Sequence, residues 1–307
     1  MADSNAALVS VICGPTAAGK TAVAMYLARL ADVSVVSADS RQLYTGFDVG
    51  TAKPTTRERL AVPHFGIDVR EPTERASAAW WAARADAWIS EIIASGRAPV
   101  VVGGTGLYLR ALFGTLFEEP VLDPASRAAL ESFLAPLSTD ELRRWVVALD
   151  PVRSHFGRTQ LLRAIEIALL SGRRVSDLHR ETARPPRRRA RYLVVDPGPS
   201  LASHIASRTS AMFANGWREE VRRLMDVVPD DAPAWNASGY RTIREVERGA
   251  LTMPEAEQRV GIETRQYAKR QRTWFRHQLA GEDLTHLDTE QPDWAERAAA
   301  WWREGNA

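Results

Sequence analysis

The sequence is poor in cysteine and has no long apolar run. Its single cysteine, Cys13, excludes an intrachain disulfide and a cysteine metal cluster. No stretch approaches the about eighteen apolar residues that a membrane-spanning helix needs. The first residues, MADSN, lack the basic start and apolar core of a signal peptide. We therefore expect a cytoplasmic protein that does not act on a membrane.

Lysine is also scarce, because only Lys20, Lys53 and Lys269 occur among the 40 basic residues. Lysine and arginine bind phosphate with different geometry. A chain with such a strong bias toward arginine is expected to keep lysine where a compact ammonium group is needed. Otherwise the composition is that of an ordinary globular protein, with 307 residues, 45% of them hydrophobic and 25% charged.

The net charge is only +2, but the charge is unevenly distributed. Residues 153–191 include eleven arginines and three acids, and residues 264–276 include five basic residues and no acid. Two basic zones on an otherwise acidic chain favour a polyanionic partner such as nucleic acid. Taken singly, such a run is more often just a solvated surface.

Residues 14–21 read GPTAAGKT, directly after the apolar run 8–13 and before a segment of helical character. This strand–loop–helix setting is typical of a phosphate-binding loop. The glycines let successive N–H groups point inward, and the helix that follows presents its positive end. Lys20 then reaches the outer phosphates while the hydroxyl of Thr21 faces Mg²⁺. The loop predicts a polyphosphate ligand without naming it.

Short apolar runs alternate with helical patterns over the first third of the chain. This alternation predicts an α/β fold, a P-loop NTPase-like parallel sheet covered by helices. From about Phe117 the segments are helix-like without intervening strands, and the strand pattern resumes at Arg191. We therefore expect a core of residues 1–116 and 191–307, split in sequence by a helical insertion of residues 117–190.

Two further motifs follow predicted strands, at the sheet edge where ligands of parallel sheets bind. The first is DSRQLY, which begins at Asp39, and residue chemistry leaves three roles open for this carboxylate. It could cap a helix, bind magnesium as in kinases, or take a proton from an acceptor. The second is GGTGLY, residues 103–108, where glycines permit close approach and the Thr105 hydroxyl can bond a phosphate or an acceptor group.

Taken together, the ordered motifs closely resemble those of the tRNA dimethylallyltransferases. The set is GPTAAGKT, DSRQLY, GTAKP at 50–54, GGTGLY, GYR at 239–241 and TRQYAKRQRTWFR at 264–276. It spans about residues 11–276. The resemblance implies that the loop holds dimethylallyl diphosphate rather than ATP. It also implies transfer of the dimethylallyl group to N6 of the adenosine at position 37 of tRNA, beside the anticodon.

The resemblance also implies roles for single residues. Asp39 would take the proton of the adenine amine, with Thr105 at the reacting centre and Lys20 at the leaving diphosphate. The diphosphate site would consist of Gly14, Pro15, Thr16, Ala17, Ala18, Gly19, Lys20, Thr21 and Arg208. The tRNA contacts would be Asp39, Ser40, Arg41, Gln42, Thr105, Arg127, Arg158, Gln160, Arg163, Gly239, Tyr240, Arg241 and Lys269. The helical insertion would grip tRNA, and we expect a monomer.

The chain departs from the family pattern in two places. Family members usually have Pro-His-His where this chain has Pro63-His64-Phe65, so a histidine pair has no role here. The family's Asn…Arg pattern corresponds to Gly157 and Gln160, which implies that one tRNA contact would be a neutral amide beside the additional Arg158.

Two other function classes compete with prenyl transfer. A small-molecule or nucleoside kinase would consume ATP and would not need dimethylallyl diphosphate. A nucleotide-switched RNA-binding protein would bind tRNA without turnover. The ordered motif set favours the transferase over both.

Overall fold

The computed structural model describes residues 8–114, 120–181, 186, 188–279 and 282–305. The chain divides into two compact units, a core unit of Asp3–Phe113 and Arg187–Ala307 and an insertion unit of Gly114–Pro186. The predicted boundary after residue 116 falls outside the described residues. The predicted boundary after residue 190 is corrected, because the strand there already begins at Arg189.

The core unit is built on a six-stranded parallel sheet. Its strands are β1 (Leu8–Cys13), β2 (Val33–Ser37), β3 (His64–Phe65), β4 (Ala98–Gly103), β5 (Arg189–Val195) and β6 (Leu284–Leu287). The order is β3-β2-β4-β1-β5-β6, and every pair is parallel. Val11, Ile12 and Cys13 are fully buried, which explains why the central strand reads as a continuous apolar run. The predicted α/β fold is confirmed.

Thirteen α-helices lie within the described residues. They are α1 (Lys20–Leu27), α2 (Thr56–Ala61), α3 (Ala78–Ala94), α4 (Gly106–Phe113), α5 (Pro124–Leu134), α6 (Thr139–Leu149), α7 (Arg158–Ser171), α8 (Val175–Glu181), α9 (Leu201–Ala214), α10 (Trp217–Val227), α11 (Tyr240–Glu247), α12 (Met253–Gln278) and α13 (Trp294–Gly305). In that part of the chain, none is long and apolar enough to cross a membrane.

The strand order places three loops side by side. Strand β4 lies between β2 and β1, with Ser37 paired to Val102 and Cys13 paired to Gly103. The carboxyl ends of these strands therefore meet at one edge of the sheet. The segments that leave them are the phosphate loop, the segment after Ser37 and the segment after Gly103, so the predicted motifs converge there.

The insertion unit is helical over its described residues. Helices α5 to α8 surround an apolar core that includes Leu134, Leu142, Val146, Leu161 and Ile165. The helix starts follow local sequence signals. The Asp123 carboxylate accepts a hydrogen bond from the Ser126 amide at the start of α5, and Ser138 with Glu141 forms a capping box before α6.

Candidate active site

The phosphate loop adopts a geometry that needs glycine at both ends. Gly14 has φ +148°, and a β-carbon there would lie 2.1 Å from the Val195 carbonyl oxygen. Gly19 has φ +91° and directly precedes the first residue of α1. The loop amides therefore lead into the positive end of that helix, as an anion site requires.

Lys20 lies over this loop and close to two other predicted residues. Its ammonium donates hydrogen bonds to the carbonyl oxygens of Gly14 (3.0 Å) and Pro15 (2.7 Å). Burial, and next the charge of Arg208, lower the pKa of Lys20 to about 8, while the Asp39 carboxylate favours the charged form. Burial also lowers the pKa of Arg208, which Asp39 partly offsets. Two cations and one carboxylate thus meet beside the loop.

One cavity of about 300 Å³ joins these groups. Its walls come from the phosphate loop, the segment after β2, the end of β4, and helices α9 and α12. They are Thr16, Ala17, Ala18, Gly19, Lys20, Thr21, Asp39, Gln42, Ala52, Val102, Gly103, Gly104, His204, Arg208, Tyr267 and Gln271. The predicted diphosphate residues Gly14 and Pro15 lie at the start of the same loop, so the fold assembles the predicted donor site from distant parts of the sequence.

Asp39 lies in a turn beside this cavity. Within the described residues no helix starts between β2 and α2, so Asp39 is not a helix cap. Its Oδ1 atom accepts a hydrogen bond of 2.9 Å from the Arg41 amide, which fixes the carboxylate relative to the backbone. Of the three roles left open by the sequence, the structure removes the helix cap and leaves metal ligand and base.

Thr105 lies next to this turn. Its Oγ1 atom accepts a hydrogen bond of 3.0 Å from the Ser40 amide and contacts the Ser40 hydroxyl at 3.4 Å. Tyr267 lines the same cavity as Asp39. Burial, and next the charge of Asp39, raise the pKa of Tyr267 to about 12, so its hydroxyl stays protonated at neutral pH. The sequence did not single out Tyr267.

Gln42 and Lys53 hold the walls of the site. The Gln42 side chain accepts a hydrogen bond from the Ser37 hydroxyl and donates to the carbonyl oxygens of Thr51 and Ala52. The buried Lys53 ammonium donates to the Tyr44 carbonyl oxygen and pairs with Asp48 and Asp68. The rare lysine of the GTAKP motif therefore organises the loop and does not line the diphosphate cavity.

Gln271 links two of the converging loops, and the sequence did not signal it. Its Oε1 atom accepts a hydrogen bond of 2.8 Å from the Thr16 amide, and its Nε2 atom donates one of 2.8 Å to the Gly104 carbonyl oxygen. The side chain is buried on α12. The Thr16 amide is thus engaged by Gln271, and the Ala18 amide by the Pro15 carbonyl oxygen.

Hard oxygen ligands are present at the cavity. The Thr21 hydroxyl and the Asp39 carboxylate both line it, and no group of three or more His, Cys, Asp or Glu side chains suited to a metal occurs among the described residues. Mg²⁺ in phosphate sites commonly uses one or two protein oxygens and completes its shell with water and phosphate oxygens. The residues present fit such an ion.

Comparison with known proteins decides between the classes that this geometry allows. The family profile described as "IPP transferase" matches residues 42–278, and one described as "Isopentenyl transferase" matches residues 7–71. A tRNA dimethylallyltransferase of Anaeromyxobacter sp. (strain Fw109-5) is 45% identical over 274 residues, 87% of this chain and 91% of that protein. This chain belongs to the tRNA dimethylallyltransferase family.

Other members of the family cover nearly the whole chain. The tRNA dimethylallyltransferase of Deinococcus radiodurans is 38% identical over 299 residues, 95% of this chain and 95% of that protein. The crystal structure of the full-length tRNA isopentenylpyrophosphate transferase of Bacillus halodurans superposes with a TM-score of 0.68 at 30% identity, covering 98% of each chain.

The GYR motif of this tRNA dimethylallyltransferase-family chain requires a correction. Tyr240 is fully buried, and its hydroxyl donates a hydrogen bond of 2.6 Å to the Glu220 carboxylate. A β-carbon at Gly239 would lie 2.3 Å from the Trp217 ring. The prediction that these two residues contact tRNA is wrong, because both are packed in the core. Arg241 remains exposed and bonds to Asn236.

The three arginines predicted to contact tRNA in the insertion unit have protein partners. Arg127 and Arg163 both pair with the buried carboxylate of Glu166, at 3.4 Å and 2.7 Å. Arg158 donates to the carbonyl oxygens of Ala135 and Leu137, just after α5. Gln160 is exposed. Arg158 therefore also closes the end of α5, a role that its position in the sequence does not reveal.

We expect Gln271→Ala to lower kcat about 10- to 100-fold, because an error of about 1 Å in the reacting geometry can cost 10²-fold. The Thr16 amide and the Gly104 carbonyl would lose their buried partner, at a cost of about 1–3 kcal/mol for each unpaired group. The readouts are single-turnover transfer and the affinity for tRNA, which should change less. Gln258→Ala, an exposed glutamine on α12, is the matched control. Equal rates in the two variants would contradict the linking role of Gln271.

The lowered pKa of Lys20 predicts that kcat/KM for the donor depends on pH. Lys20 is charged below a pKa of about 8 and neutral above it in the free enzyme. We therefore expect kcat/KM for the donor to fall as the pH rises above about 8. Bound diphosphate favours the charged form, so kcat at saturating donor should persist to higher pH. A flat kcat/KM profile up to pH values well above the pKa would contradict this assignment.

Proposed function

We propose that the chain transfers the dimethylallyl group of dimethylallyl diphosphate to N6 of adenosine 37 in tRNA and releases diphosphate. The convergence of Lys20, Arg208 and Asp39 on one cavity of the phosphate loop supports this function. Family membership names the reaction, and the cavity supplies groups of the right charge for both ends of it. Two cations face the leaving group, and a carboxylate is available for the proton of the amine.

Stabilisation of the leaving diphosphate is the main task. The lone pair of N6 is delocalised into the adenine ring, so the allylic carbon must become strongly cationic while its bond to the diphosphate oxygen breaks. The electron pair of that bond stays on diphosphate. Lys20, Arg208 and the positive end of α1 oppose this charge. Contacts of this type are commonly worth about 3–4 kcal/mol each.

The acceptor side needs a base. As the bond from N6 to the allylic carbon forms, the amine proton passes to the Asp39 carboxylate, and such a base typically adds about 10²–10⁴-fold to the rate. The bond from the Arg41 amide holds Asp39 in place. Thr105, which accepts a hydrogen bond from the Ser40 amide, fixes the neighbouring wall.

The Thr21 hydroxyl, which lines the cavity, would hold Mg²⁺ together with oxygens of the diphosphate, and Asp39 is kept for the amine proton. Such an ion adds positive charge at the leaving group. The loop amides and Lys20 orient the diphosphate.

We assign the tRNA contacts to both units. The insertion unit would hold the tRNA backbone through Arg127, Arg158, Gln160 and Arg163, while Ser40, Arg41 and Gln42 would surround the extruded adenine. A base must leave the stack to reach such a pocket, and closing around it excludes the water that would capture the allylic cation. A monomeric protein of the cytoplasm fits these partners.

The salt dependence of binding tests the insertion unit. Each phosphate contact should give log affinity a slope of about −0.7 to −0.9 against log salt, and neutralising one contact should reduce that slope by about one. We expect this reduction for Arg127→Ala and Arg158→Ala. Filter binding or fluorescence titration of tRNA at several salt concentrations measures it.

Two controls accompany the salt series. Arg303→Ala, at an exposed position of α13 outside both basic zones, should leave the slope unchanged. Both insertion variants should bind dimethylallyl diphosphate normally, because the donor site belongs to the core unit, although Arg158→Ala should also lower the melting temperature by uncapping α5. Unchanged affinity and slope in both variants would remove the tRNA assignment.

A donor comparison tests the proposed function against its rivals. We expect dimethylallyl diphosphate to yield modified tRNA and ATP to support no phosphoryl transfer to nucleosides. A kinase would give the reverse result. A binding protein would retain tRNA affinity and show no turnover with either donor.

A further inference from the structure

An open cleft of about 530 Å³ runs along one face of α12, apart from the diphosphate cavity. Within the described residues its lining comes from this helix alone. The side chains recur at the spacing of one helix face: Gln266, Lys269, Arg270, Thr273, Trp274, His277 and Gln278. The mechanism described above uses none of them at the reacting atoms.

Trp274 provides the aromatic surface of this cleft. A β-carbon at Gly106 would lie 2.3 Å from the indole, so the backbone of Gly106 packs directly on the ring. The ring meets Phe275 edge-on, with centroids 5.5 Å apart. Trp274 is nevertheless only half-buried and lines the cleft. One side of the indole is therefore covered by glycine, and part of the ring is accessible.

The position of Gly106 brings this ring close to the reacting centre. Gly106 directly follows Thr105, and consecutive α-carbons are about 3.8 Å apart. A flat group lying on Trp274 would therefore be a near neighbour of an adenine bound beside Asp39 and Thr105. The glycine is required here, since any side chain would displace the indole.

The rim of the cleft is basic. Lys269 and Arg270 are exposed, and His277 lies two turns further along the same face. Residues 264–276 contain no acid. An accessible aromatic ring with cations around it suits an unpaired nucleobase and its flanking phosphates, because bases stack on aromatic side chains and the cations follow the backbone.

We propose that Trp274 is a stacking platform for the nucleobase adjacent to adenosine 37 in the anticodon loop. The platform would hold the neighbouring base while adenosine 37 is extruded, and Lys269 would hold the phosphate beside it. This inference rests on the proposed function. It adds an uncharged contact, in which the indole stacks on the flat face of a base.

The test measures the affinity of tRNA anticodon stem-loops at several salt concentrations. We expect Trp274→Ala to weaken binding about 5- to 150-fold, the range of one base–aromatic stack, without changing the salt slope. Trp274→Phe should retain most of the affinity. Lys269→Ala should instead reduce the salt slope by about one. Trp274→Leu, which still packs on Gly106 but lacks an aromatic face, should behave like Trp274→Ala.

Stem-loops without the base at position 36 or at position 38 identify the partner. Wild-type protein should bind one of these stem-loops more weakly than the intact stem-loop, by the same factor that the Trp274→Leu substitution costs. Trp274→Leu should bind that stem-loop and the intact one with equal affinity. The proposal would be overturned if Trp274→Leu bound the intact stem-loop with wild-type affinity. It would also be overturned if Trp274→Leu still bound both abasic stem-loops more weakly than wild-type protein does, by the full factor. A separate measurement tests the proposed function. That function fails if the wild-type protein makes no isopentenyladenosine, whatever the affinities of the variants.

Discussion

Lys20→Ala is expected to reduce dimethylallyl transfer at least 10²- to 10³-fold, the loss seen when one group that stabilises transition-state charge is removed. The Lys20 ammonium lies over the phosphate loop and within electrostatic reach of Arg208 and Asp39. Its charge opposes the negative charge that grows on diphosphate as the allylic bond breaks. Single-turnover transfer at saturating donor and tRNA measures the effect.

Two controls separate charge from loop shape. Lys20→Met keeps most of the side-chain volume, so it should be as inactive as the alanine variant if the charge matters. Arg303→Ala, a change of an exposed cation outside both basic zones, should leave the rate at saturating tRNA near that of wild type. A Lys20→Ala rate within about threefold of wild type, well short of a typical single-group effect, would contradict the role of Lys20.

Asp39→Ala is expected to lower the single-turnover rate by about 10² or more, the lower range for a general base, with little change in tRNA affinity. A base acts chiefly in the transition state, so its loss should not weaken binding to the same degree. The rate of product formation and the tRNA dissociation constant are measured on the same preparation.

Asp39→Asn is the informative partner of this variant. An asparagine oxygen can still accept the hydrogen bond from the Arg41 amide, so the turn should keep its shape while the proton acceptor is lost. We expect the asparagine variant to be about as slow as the alanine variant. If it transfers at the wild-type rate, Asp39 serves to shape the turn and another group takes the proton.

The sequence predicted the parts of the site that lie within continuous motifs. The phosphate loop combines strand, glycine turn and helix within a few residues, so its geometry is a local property. Asp39 and Thr105 follow buried strands, and the parallel order of those strands brings them to one edge. The short strands β3 and β6 were not predicted. They have two and four residues, and such short segments carry almost no periodic signal.

The residues that were missed or wrongly assigned depend on contacts across long stretches of chain. Gln271 bonds to Thr16, 255 residues away, and an isolated glutamine on a helix gives no sign of such a partner. Tyr240 looks accessible in the string GYR, yet the fold buries it against Glu220. Packing decided these cases, and a single sequence does not display packing.

The most direct test of the central claim incubates the wild-type protein with tRNA and labelled dimethylallyl diphosphate, then digests the tRNA to nucleosides. We predict that the label appears in N6-isopentenyladenosine alone, derived from position 37, and that a tRNA with guanosine at that position stays unlabelled. The account would be contradicted if tRNA that contains adenosine 37 stayed unlabelled. It would also be contradicted if label still appeared in tRNA after adenosine 37 was replaced.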